Sequence, residues 1–211
     1  MFQPPPRDCP ACPRLAAFRR DARIRLPDGY NGAVPPFGGL EARLLIVGLA
    51  PGLKGANRTG RPFTGDYAGD LLYATLGKFG LAEGVYAARA DDGLTLRNCR
   101  ITNAVRCVPP QNKPVPEEFT ACRPFLVSEI AAMPRLKAIL ALGKGAHDQT
   151  LRALKARPAG AYPFKHGGQH RLPNGLLLAA SYHCSRYNTN TRRLTVPMFE
   201  AVFAALLPLL R

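Results

Sequence analysis

No apolar run in the chain approaches the roughly 18 residues that a membrane span needs. The longest, residues 176–180 and 201–210, are too short, and Pro208 interrupts the second. The N-terminal stretch MFQPPPRDCPACPRL carries prolines and cysteines where a secretory signal places its uninterrupted apolar segment. The mature chain is therefore expected to start here, with no signal peptide, and to stay in the cytoplasm. There is no internal repeat and no low-complexity tract beyond the three prolines at positions 4 to 6. Neither GxGxxG nor GxxxxGK followed by Ser or Thr occurs, so the glycine-rich stretches give no reason to infer nucleotide binding. The most informative absence is acidic: no Asp or Glu stands between Asp148 and Glu200, while Arg152, Lys155, Arg157, Lys165, Arg171, Arg186, Arg192 and Arg193 all fall there.

That unopposed stretch belongs to a chain with 29 Lys and Arg against 14 Asp and Glu, a formal net charge of +15. Solubilising surfaces usually intersperse both signs. A field of one sign points instead to a polyanion, bound by releasing condensed counterions and with an affinity that falls steeply with salt. Hydrophobic residues at 46% and charged residues at 20% are proportions of a packed chain, and 211 residues fit one domain spanning 1–211.

Six cysteines are present, and in a reducing compartment clustered thiols read first as metal ligands. Cys9 and Cys12 form a CxxC; Cys107 and Cys122 follow much later, with fourteen residues between them. Four thiolates suit tetrahedral zinc or an iron-sulfur cluster, and the spacing alone leaves both open. Cys99 and Cys184 stand in apolar runs and read as buried small hydrophobes.

Four continuous apolar runs, residues 43–49, 99–105, 136–142 and 176–181, read as strands covered on both faces. Helical spacing fills residues 68–79, 116–133, 145–156 and 196–210, and Pro116 followed by Glu117 and Glu118 makes a favourable helix start. Alternation of this kind implies a parallel α/β sheet. Ligands of such sheets sit outside the carboxyl ends of the strands, which selects GLAPGLKGANRTGRPFTGDYAG, TNAVRCVPPQNKPVPEE, GKGAHDQ and SYHCSRYNTNTRR.

At these loops the sequence resembles the uracil-DNA glycosylase superfamily, specifically its family 5, the iron-sulfur enzymes close to family 4. The resemblance rests on residues 48–72, 102–122 and 183–195 together with the leading CPAC. It implies a three-layer α/β/α sandwich around a four-stranded parallel sheet and a structural 4Fe-4S cluster on Cys9, Cys12, Cys107 and Cys122 at the N-terminal arm. It also implies a monofunctional enzyme that flips uracil out of double-stranded DNA and hydrolyses its N-glycosidic bond in base excision repair, leaving an abasic site.

Phe63 matches the aromatic that stacks on the flipped base and Asn103 the amide that reads its edge, with Gly48 and Ala50 beside them. Asp66 and Asn112 are expected to act on the attacking water, Asp66 also on the sugar cation, and His183 is expected to donate to the base oxygen as negative charge develops. The alternative role for Asp66 is a helix N-cap, and the two roles are compatible. Arg58, Ser185, Arg186, Asn188, Arg192 and Arg193 are expected on DNA. His147, His166 and His170 match no catalytic position. Leu49 stands where family 4 has an acid, so catalysis cannot be copied from that family. Excision of deaminated purines such as hypoxanthine is expected as well. No lysine suggests itself for a Schiff base, so strand cleavage is not expected. The chain is expected to act as a nucleoid-associated monomer without membrane contact. The alternative reading is a non-catalytic iron-sulfur protein that binds damaged or abasic DNA.

Overall fold

The computed structural model describes residues 2–210. The chain opens with helix α1 (Pro13–Arg25) and then strand β1 (Leu44–Gly48). A short helix α2 (Ala56–Thr59), helix α3 (Tyr67–Lys78) and a two-stranded ribbon of β2 (Ala82–Glu83) and β3 (Thr95–Leu96) lead to β4 (Cys99–Asn103). Helix α4 (Pro116–Ala131), β5 (Ala138–Leu142), α5 (Lys144–Ala153), β6 (Gln169–Arg171) and β7 (Leu177–Ser181) follow, and α6 (Arg186–Asn190) and α7 (Val196–Leu206) close the chain.

The sheet has the order β4-β1-β5-β7-β6. The strands β4, β1, β5 and β7 are parallel, and every residue in them is buried. Burial on both faces explains why they read as unbroken apolar runs. A fifth strand, β6, extends the four expected parallel strands by pairing antiparallel with β7 at the edge. Its three residues are polar and lie on an edge, Gln169 and Arg171 exposed and His170 half-buried, so no apolar signal marks it. Helix α1 escaped for a related reason, since it buries only Leu15, Arg19 and Ala22.

Helices α3 and α7 cover one face through Leu72, Leu76, Phe199 and Phe203. On the other, α4 and α5 bury Leu126, Ala146 and Leu151 against Leu45, Val47 and Ile139. Helix α4 begins as its sequence suggests, with Pro116 in the first turn and the Glu118 carboxylate accepting the Val115 N–H at 2.9 Å. Glu118 also receives both Nε and Nη2 of Arg14, at 2.7 and 2.9 Å, which ties α1 to α4. A buried network of Arg100, Arg106 and Thr102 on Glu129 joins α4 to the sheet.

Candidate active site and cysteine cluster

The loops that leave β1, β4 and β7 enclose a cavity of about 640 Å³ at the carboxyl edge of the sheet. Eight residues singled out from the sequence line it: Ala50, Phe63, Asp66, Asn103, Asn112, His183, Ser185 and Arg186. Gly48 lies just beneath. It pairs in register with Asn103 at the strand ends, and a Cβ there would collide with the Asn103 amide oxygen and come within 2.6 Å of the Phe63 ring. Only glycine lets these two side chains share the floor of the cavity.

Asn103 is buried, and its amide makes no hydrogen bond among the described residues. A buried amide normally finds partners, so one left free beside an opening is available to a ligand that offers both a donor and an acceptor. Phe63 is 7% exposed and holds a left-handed backbone conformation (φ 52°), an arrangement that persists only where the surroundings enforce it.

Asp66 caps a helix and also lines the cavity. Its Oδ1 accepts the Gly69 N–H at 3.2 Å and caps α3. Its Oδ2 faces the β1 loop, where a Cβ on Gly52 would lie 3.1 Å away and one on Gly55 would overlap it. Two glycines therefore open the space in which the second oxygen sits at the cavity wall.

His183 follows β7 and is half-buried. Burial pushes its imidazole below the ordinary histidine value, and the nearby Asp66 carboxylate only partly opposes this, so a neutral ring faces the cavity at pH 7. Asn188 is not in the cavity wall. Its Nδ2 donates to the His183 carbonyl at 2.8 Å, while the Ser185 side chain caps α6 by accepting the Asn188 N–H. Asn188 thus holds the histidine backbone.

Arg58, Arg192 and Arg193 are exposed and also outside the cavity. Arg58 donates to the Lys54 carbonyl, and Arg193 lies 4.7 Å over the Tyr182 ring. Asn112 stands exposed at the rim in a left-handed conformation. Two residues that the sequence did not single out complete the mouth: Lys54, and Tyr67, whose ring carries the Arg186 guanidinium at 5.4 Å. Tyr67 directly follows Asp66, and that adjacency was the available signal.

Cys9, Cys12, Cys107 and Cys122 line one small void between the N-terminal arm, α1 and α4. Cys99 and Cys184 are buried elsewhere, as expected. Among the described residues no three His, Cys, Asp or Glu side chains converge as ligands of a single ion would. What surrounds the four thiols suits a negatively charged group held by sulfur. Arg19, only 3% exposed, donates Nη1 to Cys107 Sγ at 2.7 Å and Nη2 to the Cys9 carbonyl, and its Nε is buried without a partner. The Arg106 N–H donates to Cys122 Sγ at 3.4 Å. Burial pushes Cys12 up to about 11 and Cys122 up to about 12, so any metal taken up there must displace protons. Ala50 packs on this cluster and also lines the cavity, which places the two features back to back.

Residues 35–207 match the family described as the Uracil DNA glycosylase superfamily. A Type-5 uracil-DNA glycosylase of Thermus thermophilus is 45% identical over 199 residues, which cover 92% of this chain and 90% of that protein. Proteins of the same description from Pyrobaculum aerophilum and Mycobacterium tuberculosis are each 42% identical, again over 92% of this chain, and are covered to 86% and 75% of their own lengths. With its sheet, its cavity and relatives along nearly its whole length, this chain belongs to the uracil DNA glycosylase superfamily.

Proposed function

We propose that the protein is a monofunctional uracil-DNA glycosylase that takes a flipped uracil from duplex DNA and leaves an abasic site for base excision repair. The observation that carries this reading is one cavity lined by an aromatic ring, an unpartnered amide, a neutral imidazole and a carboxylate, beside a mouth that carries Lys54 and Arg186. An aromatic offers a stacking surface, the amide pairs with a base edge, and the cations suit flanking phosphates.

Breaking the C1′–N1 bond sends its electron pair to the base and leaves positive charge on the sugar, an oxocarbenium-like state. His183 donates to the base oxygen that takes up the negative charge. Asp66 stabilises the sugar cation and receives a proton from the water whose oxygen joins C1′, with Asn112 helping to orient that water. The departing base recovers a proton from solvent. A cavity of about 640 Å³ admits a purine as well as a pyrimidine, which supports hypoxanthine as a second substrate.

Cys9, Cys12, Cys107 and Cys122 are proposed to hold a 4Fe-4S cluster. The cluster would supply a cross-link between the N-terminal arm and α4, and glycosidic hydrolysis needs no electron from it. We further propose that residues 1–211 act as one domain, as a cytoplasmic, nucleoid-associated monomer. No helix among the described residues is long and apolar enough to cross a membrane.

A single-turnover assay on labelled duplexes containing uracil or hypoxanthine, with alkali added afterwards, tests the proposal. Strand breaks that appear only after alkali establish the activity, and the ratio of the two rates measures the breadth of the pocket. No product from either duplex, with the cluster intact, would favour a protein that binds damaged DNA without cutting the base.

A further inference from the structure

Around Phe63 lies a set of buried contacts that the chemistry above does not use. Arg61 is 4% exposed and aims both terminal nitrogens at Asp92, each at 2.7 Å. Its Nε donates to Thr64 Oγ1 at 2.8 Å. The guanidinium also sits 5.0 to 5.8 Å from the ring centres of Phe37, Tyr73 and Tyr86. Asp92 accepts the Ala87 and Leu94 N–H groups in addition, so both ends of the 87–94 turn are tied to the ion pair. The Arg61 side chain holds the Asp92 carboxyl far below the usual carboxylate range.

Each residue flanking Phe63 is tethered to this set. Tyr73 Oη donates to the Pro62 carbonyl at 2.7 Å, Thr59 Oγ1 donates to the Thr64 carbonyl at 3.0 Å, and the Gly65 N–H donates to Tyr86 Oη at 3.1 Å. Tyr73 and Tyr86 stack with centroids 4.6 Å apart. The Phe63 carbonyl points to where a Cβ on Gly69 would lie, so only glycine fits there. The Phe63 side chain has no polar group with which to hold its left-handed φ; the Phe63 carbonyl accepts from Tyr86 Oη at 3.5 Å, and the neighbouring residues are held on both sides.

We infer that the Arg61–Asp92 pair is the positioning device for the base-stacking ring: it fixes residues 61–65 and thereby the placement of Phe63 against a flipped base. This rests on the glycosylase reading above. Arg61 and Asp92 are positioning residues, since neither lines the cavity. A guanidinium fork matched to a carboxylate and covered by three rings fixes direction as well as distance, which a lysine cannot reproduce.

The test compares the holoprotein with Asp92→Asn and Tyr86→Phe. Asp92→Asn keeps the shape but removes the charge, and Tyr86→Phe removes only the hydroxyl that accepts the Gly65 N–H and donates to the Phe63 carbonyl. Three quantities are measured: single-turnover excision of uracil, inhibition by free uracil, and affinity for a duplex carrying a tetrahydrofuran abasic analogue, which has no base to stack. Misplacing a reacting group by about 1 Å can cost on the order of 100-fold. The expected result for Asp92→Asn is excision slowed roughly 10- to 100-fold and weaker inhibition by uracil, with abasic-analogue affinity unchanged. Tyr86→Phe should show the same pattern at smaller size, and it decides the matter if Asp92→Asn does not fold. Equal losses in all three quantities would mark a general structural role and overturn the inference, as would wild-type values throughout. A wild-type protein that removes no uracil would instead overturn the glycosylase reading and this inference with it.

Discussion

The Phe63 ring lies against the His183 imidazole, with centroids 5.8 Å apart and planes 28° from parallel. One residue comes from the loop after β1 and the other from the loop after β7, so the contact joins the proposed stacking surface to the proposed donor. Residues in contact rarely contribute independently. The double variant Phe63→Leu with His183→Ala should therefore lose less excision activity than the two single losses combined, by a coupling of about 0.5–3 kcal/mol. Single-turnover rates of the four proteins measure it, and strict additivity would show that the contact has no functional consequence.

The capping and the proposed catalytic role of Asp66 can be separated by substitution, because only Oδ1 serves as the cap while Oδ2 sits at the cavity wall. Asparagine still caps a helix well, so Asp66→Asn should leave thermal stability nearly unchanged while slowing excision on the order of 100-fold or more. Asp66→Ala should add a loss of about 1 kcal/mol in stability from the missing cap. Thermal melts and single-turnover rates on both variants check the separation; full activity in Asp66→Asn would assign the carboxylate to capping alone.

Asn188 and the arginine pair should behave differently from one another. Asn188 holds the His183 carbonyl, so Asn188→Ala should slow excision and leave the salt dependence of binding as it was. Replacing Arg192 and Arg193 by glutamine should reduce the slope of log affinity against log salt by about 2, since each phosphate contact contributes roughly 0.9. Affinities across a salt series give both answers.

For the cysteine site, Cys122→Ala and Arg19→Gln are the informative changes. Anaerobically purified protein should be brown and contain iron and sulfide in equal amounts. Cys122→Ala should remove both and lower the melting temperature. Arg19→Gln removes the buried donor to Cys107 and should leave a cluster that is lost faster on exposure to air. Zinc in place of iron in the wild-type protein would overturn the cluster proposal while leaving the cross-linking role intact.

Stability should fall on mild acidification. Burial holds His147, His166 and His183 below their ordinary value of 6.5. Between 6.5 and their lower folded values the unfolded chain binds more protons than the folded one, so stability is complete above that window and declines as pH drops through it. His147 is fully buried, with Nε2 on the Tyr162 carbonyl and Nδ1 unpartnered. His147→Gln should lessen the drop in melting temperature between pH 7.5 and 5.5, and an identical drop would remove His147 as a contributor.

The amino-acid sequence by itself determined the four parallel strands and the positions of α3, α4, α5 and α7, because strands buried on both faces and helices buried along one stripe each leave an apolar signature. It also marked Asp66, Asn103 and His183, each beside or within a loop at a strand's carboxyl end. Edge strand β6 stayed silent because its largely exposed residues need no hydrophobicity. Tertiary structure alone decided that Asn188 bonds the His183 carbonyl, that Asp66 splits its two oxygens between cap and cavity, and that Arg19 reaches Cys107. It alone brought Asp92 onto Arg61, 31 positions earlier in the chain. A charge pair of that kind leaves no periodic mark in either segment; it exists only once the 87–94 turn has closed over the loop that carries Phe63.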